Sequence, residues 1–177
     1  MDAGPVLHLI AAARPERPFT FVGIGGRGGA GKSTLARQIP GAQIVGTDEF
    51  WDGDGFDLDR LRAEVFEPLI AGRTVRYASW DWAARRAGGE RTVSPHGIVV
   101  VEGVCALHRM FRDDYDVRAW VEAPYDVRLA RGVARDGEEA RQTWAERWMP
   151  SEDRYVERDD PMACADVLVD GSGPVEG

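Results

Sequence analysis

The segment that decides the fold is Gly26-Arg27-Gly28-Gly29-Ala30-Gly31-Lys32-Ser33, which has the pattern Gly-x4-Gly-Lys-Ser. An apolar run typical of a buried strand precedes it at residues 19–24, and a helix-like stretch follows at residues 33–39. Between a strand and a helix, this pattern forms a loop that cradles phosphate groups. The sequence therefore predicts that the chain binds a nucleoside triphosphate, ATP or GTP.

Each residue type in this loop suits one part of a bound triphosphate. Glycines permit a tight turn whose backbone N–H groups point at phosphate oxygens, and the helix start adds the positive end of its dipole. Lys32, the only lysine of the chain, is a compact charge for the β- and γ-phosphates, and the Ser33 hydroxyl can bind a bridging Mg²⁺. The candidate nucleotide-binding residues are Gly26, Arg27, Gly28, Gly29, Ala30, Gly31, Lys32, Ser33 and Thr34.

Composition restricts the class of protein and its partners. The 177 residues suffice for one domain with a buried core, and the net charge of −8 argues against a non-specific nucleic-acid surface. Cys105 and Cys164 lack metal-ligand spacing and are expected to be free thiols in a reducing compartment. The chain contains neither a long apolar run nor a secretory signal pattern. We therefore expect a cytoplasmic protein that binds neither nucleic acid nor a membrane.

Apolar runs alternate with helical patterns along the rest of the chain. This alternation predicts a three-layer α/β fold of the P-loop NTPase type, with a mainly parallel sheet, helices on both faces and a helical lid. We expect one domain over residues 1–177, with a helical arm at 1–18 and a flexible tail at 171–177. The predicted strands are 19–24, 42–46, 98–101, 117–121 and 166–169, with a two-stranded flap at 74–77 and 91–93. The predicted helices are 6–13, 33–39, 58–71, 124–135 and 138–148, with another around Tyr155.

Two carboxylates follow predicted strands at the edge where ligands bind such a sheet. Asp48 comes after strand 42–46, where it would accept the proton of an attacking hydroxyl and contact the metal. Glu102 comes after strand 98–101 and is placed to hold Mg²⁺ directly or through water. Two other interpretations stay open: Asp48 as the cap of a turn, and Glu102 as a carboxylate oriented by the helix that follows.

Arginines form the next candidate group. Arg128, Arg131 and Arg135 are spaced i, i+3 and i+7 and therefore share one face of a helix. One interpretation is a lid that brings guanidinium groups onto the transferring phosphoryl group. The other is a solvated face whose charges are paired with neighbouring acidic residues, Asp126, Asp136 and Glu139.

Aromatic residues are concentrated on the side predicted for the acceptor. They are Phe50, Trp51, Phe56, Trp80 and Trp82. Such rings can stack on a base or a sugar, or they can form core and flap contacts. The sequence leaves both roles open.

Several segments match a known family in the same order along the chain. They are Gly31-Lys32-Ser33-Thr34, Thr47-Asp48-Glu49-Phe50, Phe56-Asp57, Trp80-Asp81, Val101-Glu102-Gly103, and residues 126–131 leading to Arg135-Asp136. By these segments the chain resembles, over residues 19–171, the uridine kinase–phosphoribulokinase group of P-loop kinases. Arg27 departs from that group, which often has a small residue at this loop position.

The resemblance implies phosphorylation of a nucleoside 5′-hydroxyl, of the uridine or cytidine type, with ATP or GTP as the donor and Mg²⁺ as the metal. The catalytic residues that it implies are Lys32, Asp48, Arg131 and Arg135. The implied magnesium ligands are Ser33, Asp48 and Glu102. The residues implied to face the acceptor are Asp57, Trp80, Arg85 and Arg86.

Other functions remain compatible with the same loop. The acceptor hydroxyl can belong to a sugar, a nucleoside monophosphate or an antibiotic, and a non-catalytic regulatory module would also bind the nucleotide. A guanine-specific switch is disfavoured, because Asn-Lys-x-Asp cannot occur in a chain without asparagine. We expect a small-molecule acceptor as the partner and allow for a homo-oligomer.

Overall fold

Seven strands form the framework of the protein, for which a computed structural model describes residues 1–53, 55–82 and 84–173. Five of them make one parallel sheet in the order β2-β5-β1-β6-β7, and the other two pair as an antiparallel hairpin. Because every crossover in the sheet joins parallel strands, all five carboxyl ends lie at one edge. Along the chain the strands are β1 (Phe19–Gly26), β2 (Ala42–Gly46), β3 (Val75–Asp81), β4 (Arg86–Val93), β5 (Gly97–Glu102), β6 (Val117–Glu122) and β7 (Val167–Asp170).

Both faces of the sheet are covered, which confirms the predicted fold class. Side chains alternate along β1, so that Phe19 and Phe21 enter one core while Val22 and Ile24 enter the other. The first core is closed by the helical residues 58–70 and by Phe111. The second core is closed by the N-terminal helix and by the helix after the phosphate loop.

The helices follow the predicted positions with small shifts at their ends. The two longest α-helical segments are Tyr125–Asp136 and Met149–Asp159. The shorter ones are Gly4–Ala12, Lys32–Arg37, Leu58–Leu61, Glu67–Ile70 and Arg141–Thr143, with π-helical turns at Arg62–Phe66 and Trp144–Trp148 and 3-10 turns at Thr47–Phe50, Arg112–Asp114 and Glu138–Ala140. The predicted separation between helix 138–148 and the helix of Tyr155 is wrong, because residues 138–159 form one continuous helical run.

Two prolines lie inside helical runs without ending them. Pro68 and Pro150 each follow a π-helical turn by two positions. At these turns the hydrogen bonds span five residues: the N–H of Glu67 donates to the carbonyl of Arg62, and the N–H of Met149 to that of Trp144. A proline ring ordinarily clashes with the carbonyl four residues earlier, and a wide turn displaces that carbonyl. The wide turns therefore explain how both helical runs continue.

The predicted flap is an antiparallel hairpin that is longer than expected. Strands β3 and β4 pair from Val75 opposite Val93 to Asp81 opposite Arg86, with a register shift between Ala78 and Trp80. The inner end of the hairpin is anchored by buried Val75 and Val93. At the outer end, Asp81 and Arg86 are exposed.

Trp144 connects the helix Tyr125–Asp136 with the helical run that follows it. Helix Tyr125–Asp136 ends at Gly137, and Trp144 of the next helical run packs back onto Gly132, where an added Cβ would collide with the indole. The Trp144 indole Nε1 also donates to Asp136 at 2.9 Å.

In the described ranges no helix combines the length and the apolar character needed to cross a membrane. The predicted tail 171–177 lies outside the described residues from position 174 onward.

Candidate active site

Three strand ends bring the candidate catalytic residues together. Strand β5 lies between β1 and β2, and Glu102 at its end pairs in register with Ile24 and with Gly46. The phosphate loop continues from β1 at Gly26, and Asp48 follows two residues after β2 ends. The strand ends thus bring Lys32, Asp48 and Glu102 to the same edge of the sheet, where the two carboxylates influence the lysine.

The phosphate loop needs glycine at the positions where its backbone turns. Gly29 and Gly31 have φ angles of 75° and 108°, a region that disfavours side chains. At Gly29 an added Cβ would lie 2.5 Å from the backbone oxygen of Arg128, so the helix Tyr125–Asp136 also approaches too closely for any larger residue. Gly31 caps the helix Lys32–Arg37, which starts directly beneath the loop.

Lys32 is buried at the centre of the loop, with 8% of its surface exposed. Its Nζ donates to the carbonyl oxygen of Arg27 at 2.9 Å, so the loop holds its own lysine. Burial lowers the pKa of Lys32, while the carboxylates of Glu102, Glu152 and Asp48 act in the opposite direction. Three neighbouring carboxyl groups therefore favour the charged form of Lys32.

Ser33 and Glu102 form the part of the site that suits a divalent cation. The Ser33 hydroxyl donates to Glu102 Oε1 at 2.6 Å. Burial raises the pKa of Glu102, whereas Lys32 and the Ser33 hydrogen bond favour its charged form. Oxygen atoms of Ser33, Glu102 and Asp48 are the kind of ligand that Mg²⁺ prefers, usually together with phosphate oxygens. No three His, Cys, Asp or Glu side chains within the described ranges are grouped so that they could hold a metal alone, so phosphate oxygens would have to complete the site.

Asp48 is exposed, and it does not cap the turn that follows β2. The neighbouring residue Glu49 makes that cap interaction. In the turn Thr47–Phe50, Glu49 Oε1 accepts a hydrogen bond from the N–H of Gly46 at 3.1 Å. Glu49 Oε2 accepts another from the Tyr77 hydroxyl at 3.0 Å, which ties the turn to the hairpin. Because Glu49 stabilises the turn, the carboxylate of Asp48 remains available to a ligand.

The three predicted lid arginines have different partners in this structure. Arg128 is buried and donates through Nε to the carbonyl of Ala123 at 3.1 Å. Arg135 pairs with Asp136 at 2.7 Å, as the solvated-face interpretation expected. Arg131 donates to the backbone carbonyl of Gly29 within the phosphate loop at 3.1 Å, and to those of Gly171 at 2.7 Å and Gly173 at 2.6 Å. Arg131 therefore joins the loop to the segment after β7.

Replacing Arg131 by Met is expected to destabilise the fold as well as the loop. The substitution leaves several carbonyl oxygens without their charged donor, which should lower the free energy of unfolding by about 1–2 kcal/mol. Chemical denaturation measures this loss, and Arg154→Met, at an exposed position, provides the control. An unchanged unfolding midpoint in Arg131→Met would show that these contacts do not stabilise the protein.

The chain matches no family model, but it is similar to curated uridine kinases. It is 27% identical to the uridine kinase of Halobacterium salinarum over 143 residues, which cover 67% of this chain and 63% of that protein. It is 26% identical to the uridine kinase of Deinococcus deserti over 152 residues, 72% of each chain. The matched region is therefore less than two thirds of the Halobacterium protein.

Solved structures show the same architecture. A Bacillus stearothermophilus protein described as a possible uridine kinase covers 94% of this chain with a TM-score of 0.68 and 18% identity. A Silicibacter sp. TM1040 protein provisionally described as a fructose transport system kinase covers 95% with a TM-score of 0.68 and 22% identity. The chain is thus similar in sequence to proteins named uridine kinase and shares the fold of these solved structures.

The residues predicted to face the acceptor differ in their contacts and exposure. Asp57 accepts the N–H of Arg60 at 2.9 Å and thereby caps the helix that follows. Trp80 is half-buried, and its indole Nε1 is buried without a hydrogen-bond partner in the described structure. Arg85 and Arg86 are exposed at the outer end of the hairpin, where Arg85 has a φ of 53°.

The aromatic residues divide into two groups. Trp51 contacts Phe56 and Trp82, with ring centroids 5.3 and 5.4 Å apart, and Trp82 lies 6.4 Å from Trp80. Phe50 is fully buried against Tyr77 and belongs to the core. Four of the five predicted aromatic residues thus form a surface group beside the hairpin.

Sequence reasoning missed a carboxylate that contacts the phosphate loop. Glu152 Oε2 accepts a hydrogen bond from the N–H of Gly28 at 3.0 Å. A signal was present, since Glu152 and Asp159 fall on the same helical face as Met149 and Tyr155, and that face is buried. An acidic residue on the apolar face of a helix indicates a specific partner.

Proposed function

We propose that the protein is a kinase that transfers the γ-phosphoryl group of ATP to a hydroxyl of a small molecule, a nucleoside 5′-hydroxyl of the uridine or cytidine type. The observation that carries this proposal is the meeting of Lys32, Asp48 and Glu102 at neighbouring strand ends beside the phosphate loop. Phosphoryl transfer needs positioned charge more than covalent chemistry, and this arrangement supplies it. The similarity to proteins named uridine kinase supports the nucleoside as acceptor.

The phosphate loop would hold the donor. Backbone N–H groups of the loop point at phosphate oxygens, and Lys32 exchanges the carbonyl of Arg27 for the β- and γ-phosphates. Ser33, Asp48 and Glu102 would hold the magnesium ion, which neutralises phosphate charge during transfer. GTP is the alternative donor that the same loop accepts.

The acceptor would approach from the hairpin side. Asp48 accepts the proton of the attacking hydroxyl, since its carboxylate is exposed at the mouth of the site. Asp57, Trp80 and the hairpin residues Arg85 and Arg86 would contact the acceptor. Arg135 and Arg131 would move from their present partners to the transferring phosphoryl group when the lid closes.

A sugar is the second candidate acceptor. The surface group around Trp51 and Trp82 offers flat apolar faces that suit a sugar ring as well as a base. The name of the Silicibacter protein of similar fold refers to fructose transport. A nucleoside kinase would release ADP when nucleosides are added, whereas a sugar kinase would release ADP when sugars are added.

A coupled ADP-release assay with a panel of nucleosides, sugars and nucleoside monophosphates tests the proposal. We expect ADP release that depends on a pyrimidine nucleoside and on Mg²⁺. Stimulation by sugars alone would select the second candidate. ATP binding without acceptor-dependent release across the panel would contradict the kinase proposal and favour a regulatory module.

A further inference from the structure

The helix Met149–Asp159 lies directly on the phosphate loop. Glu152 is buried, with 8% of its surface exposed, and its Oε2 accepts the Gly28 N–H at 3.0 Å. The next residue, Asp153, pairs with Arg27 Nε at 2.9 Å. At Gly28 an added Cβ would lie 2.6 Å from Glu152 Oε1 and 2.8 Å from the Trp144 ring, so a larger residue would displace these side chains from the loop.

The carboxylate of Glu152 faces the positive charges that a phosphate would use. Lys32 and Arg128 both favour its charged form, although burial raises the pKa of Glu152 overall. Arg128 Nη1 is 3.6 Å from Glu152 Oε2, too far for a hydrogen bond, and this nitrogen has no other partner in the described structure. A buried guanidinium nitrogen without a partner indicates that an anion with better geometry belongs here.

We propose that Glu152 is a built-in competitor of the triphosphate: its carboxylate occupies the place of a phosphate oxygen at the Gly28 N–H, and the nucleotide must displace it. This inference rests on the proposed binding of ATP to the loop. The ion pair between Asp153 and Arg27 holds the helix in place while Glu152 occupies the loop. Nucleotide binding is then coupled to a movement of this helix away from the phosphate loop.

Two features make displacement by the triphosphate favourable. A phosphate group has several acceptor oxygens, so it can satisfy the Gly28 N–H, Arg128 Nη1 and Lys32 together, whereas the carboxylate reaches only the first at hydrogen-bond distance. Retaining a charged carboxylate beside the phosphates would add repulsion in a buried region. The Glu152 carboxylate therefore lowers the affinity of the loop for the triphosphate, and it does so more strongly the better it fits the loop.

Titration calorimetry of Glu152→Gln with Mg-ATP, and separately with tripolyphosphate, tests this inference. Removing the charge while keeping the shape should tighten binding of both probes by about tenfold, which corresponds to 1.4 kcal/mol. Glu157→Gln removes the same charge from an exposed position of the same helix and should leave both affinities unchanged. If Glu152→Gln does not fold, Asp153→Asn should tighten binding in the same direction by about threefold, because it releases the helix from Arg27.

The outcomes separate this inference from the proposed function. Equal or weaker binding by a folded Glu152→Gln protein, or by Asp153→Asn in its place, overturns the competitor role and makes Glu152 a brace of the loop. Tighter binding without acceptor-dependent turnover in any variant would support the competitor and contradict the kinase. Failure of the parent and of every variant to bind either probe would overturn both.

Discussion

Replacing Asp48 by Asn is expected to lower the turnover rate by at least about a hundredfold, the effect of losing a positioned general base. The amide has the same shape as the carboxylate but cannot accept the proton of the attacking hydroxyl. Because Glu49, not Asp48, bonds the Gly46 N–H and Tyr77, the turn itself should survive the change. Steady-state kinetics measures the loss, and calorimetry should show that ATP binding persists.

The matched control for this prediction is Asp59→Asn. Asp59 is an exposed acid at the start of the next helix and lies outside the proposed site. Its replacement changes the net charge by the same amount and should leave turnover unaffected. If Asp48→Asn turns over as fast as the parent, Asp48 has no part in proton transfer.

Replacing Lys32 by Arg is the second large effect, with an expected loss of about a hundredfold or more in kcat/KM. The charge is conserved, but the guanidinium is planar and larger than an ammonium group. Lys32 is buried, and its Nζ donates to the Arg27 carbonyl at 2.9 Å, so the loop has little room for a larger head group. The larger head group should miss the γ-phosphate while the fold persists. Kinetics with Mg-ATP and a thermal unfolding scan measure the two parts of this prediction.

The single lysine also provides a direct control. A lysine-selective reagent can modify only Lys32 and the N-terminal amine, and Mg-ATP should protect the side chain but not the terminus. Lys32→Arg should abolish the protected modification. Full activity in Lys32→Arg would show that charge alone suffices and that the shape of the lysine head group is not required.

Local sequence patterns predicted most of the fold. The loop motif, the buried strands and the parallel arrangement follow from short segments, and the strand order seen in the structure places Asp48 and Glu102 near Lys32. Strand β2 was predicted with its observed ends at residues 42 and 46. The position of the catalytic candidates was therefore predictable, because it depends on strand ends rather than on distant contacts.

Distant contacts were not predictable in the same way. The hydrogen bond between Glu152 and Gly28 joins residues 124 positions apart, and no local pattern specifies it. Arg131 shares a helix face with Arg135, yet its partners are carbonyls of two remote segments. The continuation of the helical run past Trp148 was not predicted; a π-helical turn accommodates Pro150 there, and such a turn leaves no clear trace in composition.

The central claim is that this loop and Asp48 transfer a phosphoryl group to a small-molecule hydroxyl. It is tested most directly by incubating the protein with ATP labelled in the γ-phosphoryl group, Mg²⁺ and a pyrimidine nucleoside, and identifying the labelled products. The account predicts label in the nucleoside monophosphate with the parent protein and with Asp59→Asn, and almost none with Asp48→Asn. Label that remains in ATP, or that appears only as inorganic phosphate, would contradict it.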